Sequence, residues 1–316
     1  MSTALALLEI VLPVFFLVGA GYAAMATRLL PDAAIDPLIG FAVRVAIPCL
    51  LFLAMLRVDL GRAVDWRAVA AFFGAITAAF LAAMALSRLV WRRRPGEAVA
   101  VGFSAFFGNV VMLGIPIAER AYGGAVSAAV FGLIAFHGTY NYFLGFVAME
   151  LIRQDGQSAL AGLRRALVTT FTNPLMVGLC GGIAFNLVGV ALPGVLLDGM
   201  DLLAAAGLPV ALFSLGGVLT RYRLRDEIGE ALMVSAVSLL GLPALAWALA
   251  AGVFALPPDF VRAAVIMAAM PPGLNGYIFA SLYDRAVGTA ANAVLLGTTL
   301  SVGSITVWLA LLAAWT

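Results

Sequence analysis

Two stretches of the sequence place asparagine, proline and glycine together in otherwise apolar surroundings, a combination able to hold a polar ligand where water is scarce. The first reads Phe107-Gly108-Asn109-Val110-Val111-Met112-Leu113-Gly114-Ile115-Pro116, and the second Met270-Pro271-Pro272-Gly273-Leu274-Asn275-Gly276-Tyr277. Proline removes a backbone donor and its ring clashes with the carbonyl four residues back. Helices are therefore expected to break over 109–116 and 270–277, more sharply at the second, which has adjacent prolines. Backbone groups freed at membrane depth cannot be satisfied by lipid and must face protein, water or ligand. Half-helix N-termini attract anions, and Asn109 and Asn275 add side-chain donors and acceptors. With Gly114, Pro116, Pro271 and Pro272 shaping the backbone, the two stretches are expected to form one binding site. The alternative is a pair of ordinary proline kinks capped by Asn.

Other polar residues in apolar runs are further candidates, since ionisable groups in a membrane mark function by default. Arg44 stands one helical turn before Pro48; it either meets a substrate carboxylate, snorkels to the interface or pairs with Glu9. Glu9 is a candidate proton-coupling group or an interfacial, Arg-paired carboxylate. His137, the single histidine, shares a helix face with Asn141 and neighbours Thr139 and Tyr140. It is either part of a polar seam with Thr298, Thr299 and Ser301 or a hydrogen-bonded structural residue. Glu150 and Arg153 read as a solvated pair at a membrane rim. One His and two distant Cys make no usual zinc site, and no phosphate-binding Gly-Lys-Ser/Thr loop is present. Cofactors are expected to be none. Cys49 and Cys180 read as reduced packing thiols.

The elements that must position these residues follow from composition. Of 316 residues, 64% are hydrophobic and 11% charged, too few polar side chains to cover a soluble core. A spanning helix needs about 20 apolar residues. Ten such runs are expected, at 4–27, 34–56, 67–87, 97–122, 126–151, 167–190, 194–219, 228–254, 259–283 and 288–314. The fold class is thus all-α and polytopic; the short alternating segments of a membrane β-barrel are missing. No basic residue precedes the first run, which argues against a cleaved leader. All 18 basic residues are Arg, which with the abundant Ala suggests a GC-rich bacterial genome and an inner-membrane location. Twelve of them fall at ends that face the cytoplasm if the N-terminus is outside, five at the opposite ends, and Arg44 lies within a span. Both termini are therefore expected on the periplasmic side. The net charge of +2 gives no reason to expect a nucleic-acid partner.

The chain also matches itself at a shift of 161 residues. Pro13 meets Pro174, Gly21 meets Gly182, Pro48, Leu51 and Phe52 meet Pro209, Leu212 and Phe213, and Tyr122 meets Tyr283. Proline is scarce here, 14 in all, so two proline pairs on one ungapped offset carry weight. Residues 1–152 and 167–316 are then two repeats of five spans, joined by a cytoplasmic linker at 153–166. Five is odd, so the repeats are inverted, an arrangement secondary transporters use for alternating access.

The run Ala46-Ile47-Pro48-Cys49-Leu50-Leu51-Phe52, the Asn-containing stretch ending in Gly114-Ile115-Pro116, and Met270-Pro271 with Asn275 and Tyr283 resemble the auxin efflux carrier family along the whole chain. That family includes plant auxin exporters and bacterial relatives linked to malonate or malate. The resemblance implies ten helices, with helices 4 and 9 unwound and crossing at the site. It also implies a dimeric scaffold of spans 1, 2, 6 and 7 and a moving unit of spans 3–5 and 8–10. Asn109, Pro116, Pro271 and Asn275 are the residues it places at the crossing. The long hydrophilic loop of the plant exporters has no counterpart in the short 153–166 linker.

The function expected is a secondary transporter, an exporter by resemblance, of small organic carboxylates. A cation/proton antiporter is the first alternative, but such exchangers need carboxylates near the midplane, and spans 3–5 and 8–10 carry none in their central halves. A membrane sensor without transport is the second; sensors usually append a soluble output domain. An intramembrane enzyme is a weaker third, lacking a catalytic set.

Overall fold

The computed structural model describes residues 3–57, 65–152, 168, 172, 174–189, 191–221 and 227–315. The expected linker at 153–166, with Arg153, lies outside them. The described residues form helices α1 (Thr3–Ala26), α2 (Ile35–Phe41), α3 (Ile47–Arg57), α4 (Trp66–Val90), α5 (Pro95–Phe106), α6 (Ile115–Tyr122), α7 (Gly124–Ile152), α8 (Pro174–Val188), α9 (Gly194–Leu219), α10 (Ile228–Ala236), α11 (Leu242–Trp247), α12 (Pro258–Ala268), α13 (Leu274–Tyr283) and α14 (Val287–Trp315). Among the described residues, seven helical stretches are long and apolar enough to cross a membrane. The other three expected runs correspond to α8, an apolar helix of 15 residues, and to two interrupted stretches, α5–α6 and α12–α13.

Proline placement explains most irregularities. Five-residue π turns at Ala42–Ala46, Val110–Gly114 and Val237–Gly241 each end two residues before a proline, Pro48, Pro116 and Pro243. A widened turn carries the chain past a residue with no N–H. The carbonyl four residues before Pro243 belongs to Leu239, and the indole Nε1–H of Trp308 donates to it at 2.8 Å. A freed carbonyl in an apolar interior is thus satisfied from a neighbouring helix.

Helices α1, α3, α8 and α9 pack as one group through glycine contacts. A Cβ on Gly21 would stand 1.8 Å from the carbonyl oxygen of Phe213, and a Cβ on Gly182 would stand 2.3 Å from that of Phe52. Only glycine permits such an approach of two backbones. The two contacts are copies of one another at the 161-residue shift.

Helices α4, α7, α10, α11 and α14 surround the interrupted stretches, and α2 packs on α9. At one end of this second group a charged network joins four segments. Glu230, fully buried on α10, accepts hydrogen bonds from Ser87 Oγ at 2.6 Å, Arg93 Nε at 2.9 Å and Thr289 Oγ1 at 2.9 Å. Arg93 also pairs with Glu227. Burial pushes the Glu227 carboxyl up, but the hydrogen bonds from Arg93 and Thr289 and the Arg93 charge outweigh it and hold it below the usual range.

Candidate functional site

The two breaks lie at 107–109 and 269–273, not over 109–116 and 270–277. Residues 110–114 form the π turn and α6 starts at Ile115, with Pro116 in its first turn. The helix is continuous from Val110, and the π turn carries it past the missing N–H of Pro116. In the second stretch the helix resumes at Leu274, so Asn275 and Tyr277 are helical. The second break is the longer, as its two prolines require.

The breaks meet as a short antiparallel bridge, with Gly108 opposite Pro272. The Asn109 N–H donates to the Pro271 carbonyl and the Gly273 N–H donates to the Phe107 carbonyl, both at 2.8 Å. A Cβ on Gly273 would lie 3.0 Å from the Phe107 oxygen, and one on Gly108 would lie 3.1 Å from the Met270 oxygen, so glycine lets the two segments approach without displacing a carbonyl. Ser238 Oγ donates to the Met270 carbonyl at 3.2 Å. Phe103 of α5 and Phe279 of α13 stack with centroids 3.9 Å apart, fixing the flanking half-helices against each other.

A cavity of about 160 Å³ opens beside the crossing. It is comparable in size to an engineered apolar cavity of about 150 Å³ that takes benzene. Phe107, Gly108, Asn109, Gly273 and Asn275 form one wall; Ile47 and Leu51 of α3 and Met176 and Leu179 of α8 form the facing one. His137 and Tyr142 of α7 also line it, and among the described residues no Asp, Glu, Lys or Arg does. Tyr142 OH donates to Asn275 Oδ1 at 3.1 Å, leaving the Asn275 amide N–H groups for another acceptor. The side-chain amide of Asn109 has no protein hydrogen-bond partner among the described residues.

The sequence-derived residues therefore separate. Asn109, Asn275 and His137 come together on the cavity wall. Asn141 is fully buried behind His137, its Nδ2 at 3.0 Å from His137 Nε2, and its Oδ1 has no partner. Turning the amide over would satisfy Oδ1 and leave Nδ2 over instead, so one buried polar atom of Asn141 stays free in either setting. Pro271 and Pro272 form the crossing itself, and Gly114 packs against Met267 and Met270 behind it. Pro116 lines a separate, more open cleft with Pro13, Glu119 and Arg120. Arg44 is exposed and off the cavity wall, though Val43 and Ile47 line it, and no ion pair joins it to Glu9 among the described residues. Glu9 is exposed, and its backbone carbonyl accepts from Arg120. The Thr299 and Ser301 hydroxyls donate to carbonyls of their own helix, so neither hydroxyl proton is left for a ligand.

Tyr142 is absent from the sequence-derived set. An aromatic at membrane depth reads as packing, and its five-residue spacing from His137 is not the three or four that marks one helix face, so no signal in the sequence singled it out.

The family described as membrane transport protein matches residues 6–309. The chain belongs to that family. A protein of Rhizobium meliloti (strain 1021) named "Putative malonate transporter" is 27% identical over 301 residues, covering 94% of this chain and 93% of that protein. An "Uncharacterized transporter" of Methanothermobacter thermautotrophicus is 27% identical over 308 residues, 95% of this chain and 96% of its own. "Auxin efflux carrier component 5" of Arabidopsis thaliana is 25% identical over 222 residues, 60% of this chain and 63% of its own. The resemblance to auxin efflux carriers noted in the sequence motifs thus holds, and this family member is a multi-pass membrane protein.

Proposed function

We propose that the chain is a secondary transporter of small organic carboxylates that works by alternating access, with the substrate held at the crossing of the two broken helices. The observation that carries the reading is the pairing of the breaks. Their backbones satisfy one another through Asn109–Pro271 and Gly273–Phe107, while the Asn109 and Asn275 side chains remain on the wall of a closed-in cavity. The N-terminus of α13, with Leu274 and Asn275 on that wall, adds partial positive charge in a site without cations. A carboxylate fits donors of that kind. The relative named for malonate supports the same class. A cation/proton antiporter fits less well, because no carboxylate lines the cavity.

On this reading the chain is two inverted five-span repeats with both termini outside an inner membrane. The exchanged glycine contacts, Gly21 on Phe213 and Gly182 on Phe52, support the repeat. So do matched helix ends: Tyr122 is followed by Gly123 at φ 60 and Tyr283 by Asp284 at φ 51, and 123 and 284 are again 161 apart. Helices α1, α3, α8 and α9 act as a scaffold, through which two copies pair as the family resemblance implies, and the crossing unit moves against it. Transport runs outward and needs no soluble domain or catalytic step.

A thermal-shift series on purified protein tests the substrate class. A ligand present at about 100 times its Kd stabilises the folded state by about 2.7 kcal/mol. Malonate and related carboxylates are expected to raise the melting temperature, and their amides are not. Equal shifts with acids and amides would contradict a carboxylate site.

A further inference from the structure

Pro13 lies inside α1, has no N–H, and so leaves the carbonyl of Glu9, four residues back, without its intrahelical partner. Arg120 supplies one. Its NH2 group donates to the Glu9 carbonyl at 3.0 Å and its Nε to the Ile10 carbonyl at 3.0 Å. The planar guanidinium presents donors in a fixed fork, able to span two successive carbonyls as a lysine cannot.

The two partners belong to different groups of helices. Arg120 sits near the end of α6, directly beyond the break, while Glu9 and Ile10 belong to α1, which packs on α9. Beside the contact lies an open cleft of about 500 Å³, lined by Pro13, Pro116, Glu119, Arg120, Asp201 and Pro209. At the 161-residue shift Arg120 corresponds to Ser281, and Pro13 to Pro174. The second repeat therefore carries no arginine at the place of Arg120.

We propose that Arg120 is a releasable tie between the crossing unit and α1, docked on the turn that Pro13 opens, and that it favours the arrangement in which this face of the cavity is closed. The proposal rests on the alternating-access reading. Charge-assisted hydrogen bonds make the tie stronger than a neutral contact. Its exposure lets water in the cleft replace either partner when the unit moves.

The test is a side-specific labelling experiment on the full chain in proteoliposomes. Val111→Cys, on the cavity wall, serves as reporter in a Cys49→Ser/Cys180→Ser background, with a membrane-impermeant maleimide added to one face at a time. Arg120→Ala is expected to raise labelling from the Glu9 face by about fivefold or more, the effect of losing a hydrogen bond to a charged group. Pro13→Ala is expected to act in the same direction, because residue 13 then donates to the Glu9 carbonyl and displaces the arginine. The double variant should add nothing to the larger single effect. Unchanged labelling in Arg120→Ala, or full additivity in the double variant, overturns the tie. If radiolabelled malonate uptake persists in that case, the tie alone has failed. If the reporter is never labelled from the Glu9 face and uptake is absent as well, the alternating-access reading fails with it.

Discussion

The Asn109 N–H donates to the carbonyl of Pro271 at 2.8 Å across the two broken helices. Residues 162 positions apart thereby complete each other's backbone. Isolated, either break would leave unpaired groups in an apolar interior, at a cost of about 1–3 kcal/mol each. Together they pair their backbone groups, so the crossing does not draw on the Asn109 and Asn275 side chains. On the proposed reading, binding is concentrated in the cavity wall, whereas Pro271, Pro272 and Gly114 serve the shape of the crossing.

The close glycine contacts give a direct stability prediction. Gly21→Ala and Gly182→Ala each drive a Cβ into a backbone carbonyl oxygen, and overpacking of this kind typically costs about 1–3 kcal/mol. Both variants should melt at lower temperature in detergent. Gly19→Ala, with nothing within 4 Å of its Cβ, should melt no lower than the parent. Equal behaviour of all three would mean that α1–α9 and α3–α8 pack less closely than described.

The buried network around Glu230 gives a second. Arg93→Ala leaves a fully buried carboxylate without its cation, a loss of about 3–5 kcal/mol for a buried pair. Glu230→Gln in the same chain should recover part of it. The pH dependence follows from Glu227, whose folded-state carboxyl is held below its usual range with Arg93 among the causes. A depressed carboxyl contributes stability above its unfolded-state pKa and loses it as pH falls through the folded-state value. The gap in melting temperature between parent and Arg93→Ala should therefore narrow in acid. A gap that widens as pH falls would contradict the assignment.

Arg44 stands exposed off the cavity wall. Arg44→Ala should change substrate affinity by no more than the effect of an ordinary surface substitution, about 0.5 kcal/mol. Tyr142→Phe removes the hydroxyl that holds Asn275 Oδ1 and should weaken binding by about 0.5–1.5 kcal/mol. Titration of binding in both variants checks the order; a larger loss at Arg44 would place the substrate carboxylate outside the cavity.

How far the sequence reaches can be judged at particular residues. The all-helical membrane fold was legible because apolar runs of spanning length leave no other arrangement for the backbone. The existence of both breaks was legible from Asn, Pro and Gly in unusual company, but their register was not. A π turn can carry a helix past a proline, so Pro116 falls in helix, as does Asn275, and the breaks lie where the two segments pair. Asn109, Asn275 and His137 were found because polar residues in apolar runs are rare. Tyr142 and Glu230 were not: Tyr142 matters through a partner 133 residues away, and Glu230 through Arg93, 137 residues away. Arg44 shows the converse: its nearness to Pro48 along the chain says nothing of which side of the helix meets the cavity, and its exposed place fits the snorkelling alternative.

The central claim is that the substrate binds at the crossing, and uptake of radiolabelled malonate into proteoliposomes tests it most directly. Each amide stands on a cavity wall without charged side chains, where losing one polar partner costs about 1–3 kcal/mol, or about 5- to 150-fold in affinity. Asn109→Ala and Asn275→Ala should each raise the concentration needed for half-maximal uptake by a factor in that range. The double variant, folded as judged by its melting temperature, should show almost no uptake at concentrations that saturate the parent. Full uptake by the double variant would mean that the crossing is structural and the substrate binds elsewhere.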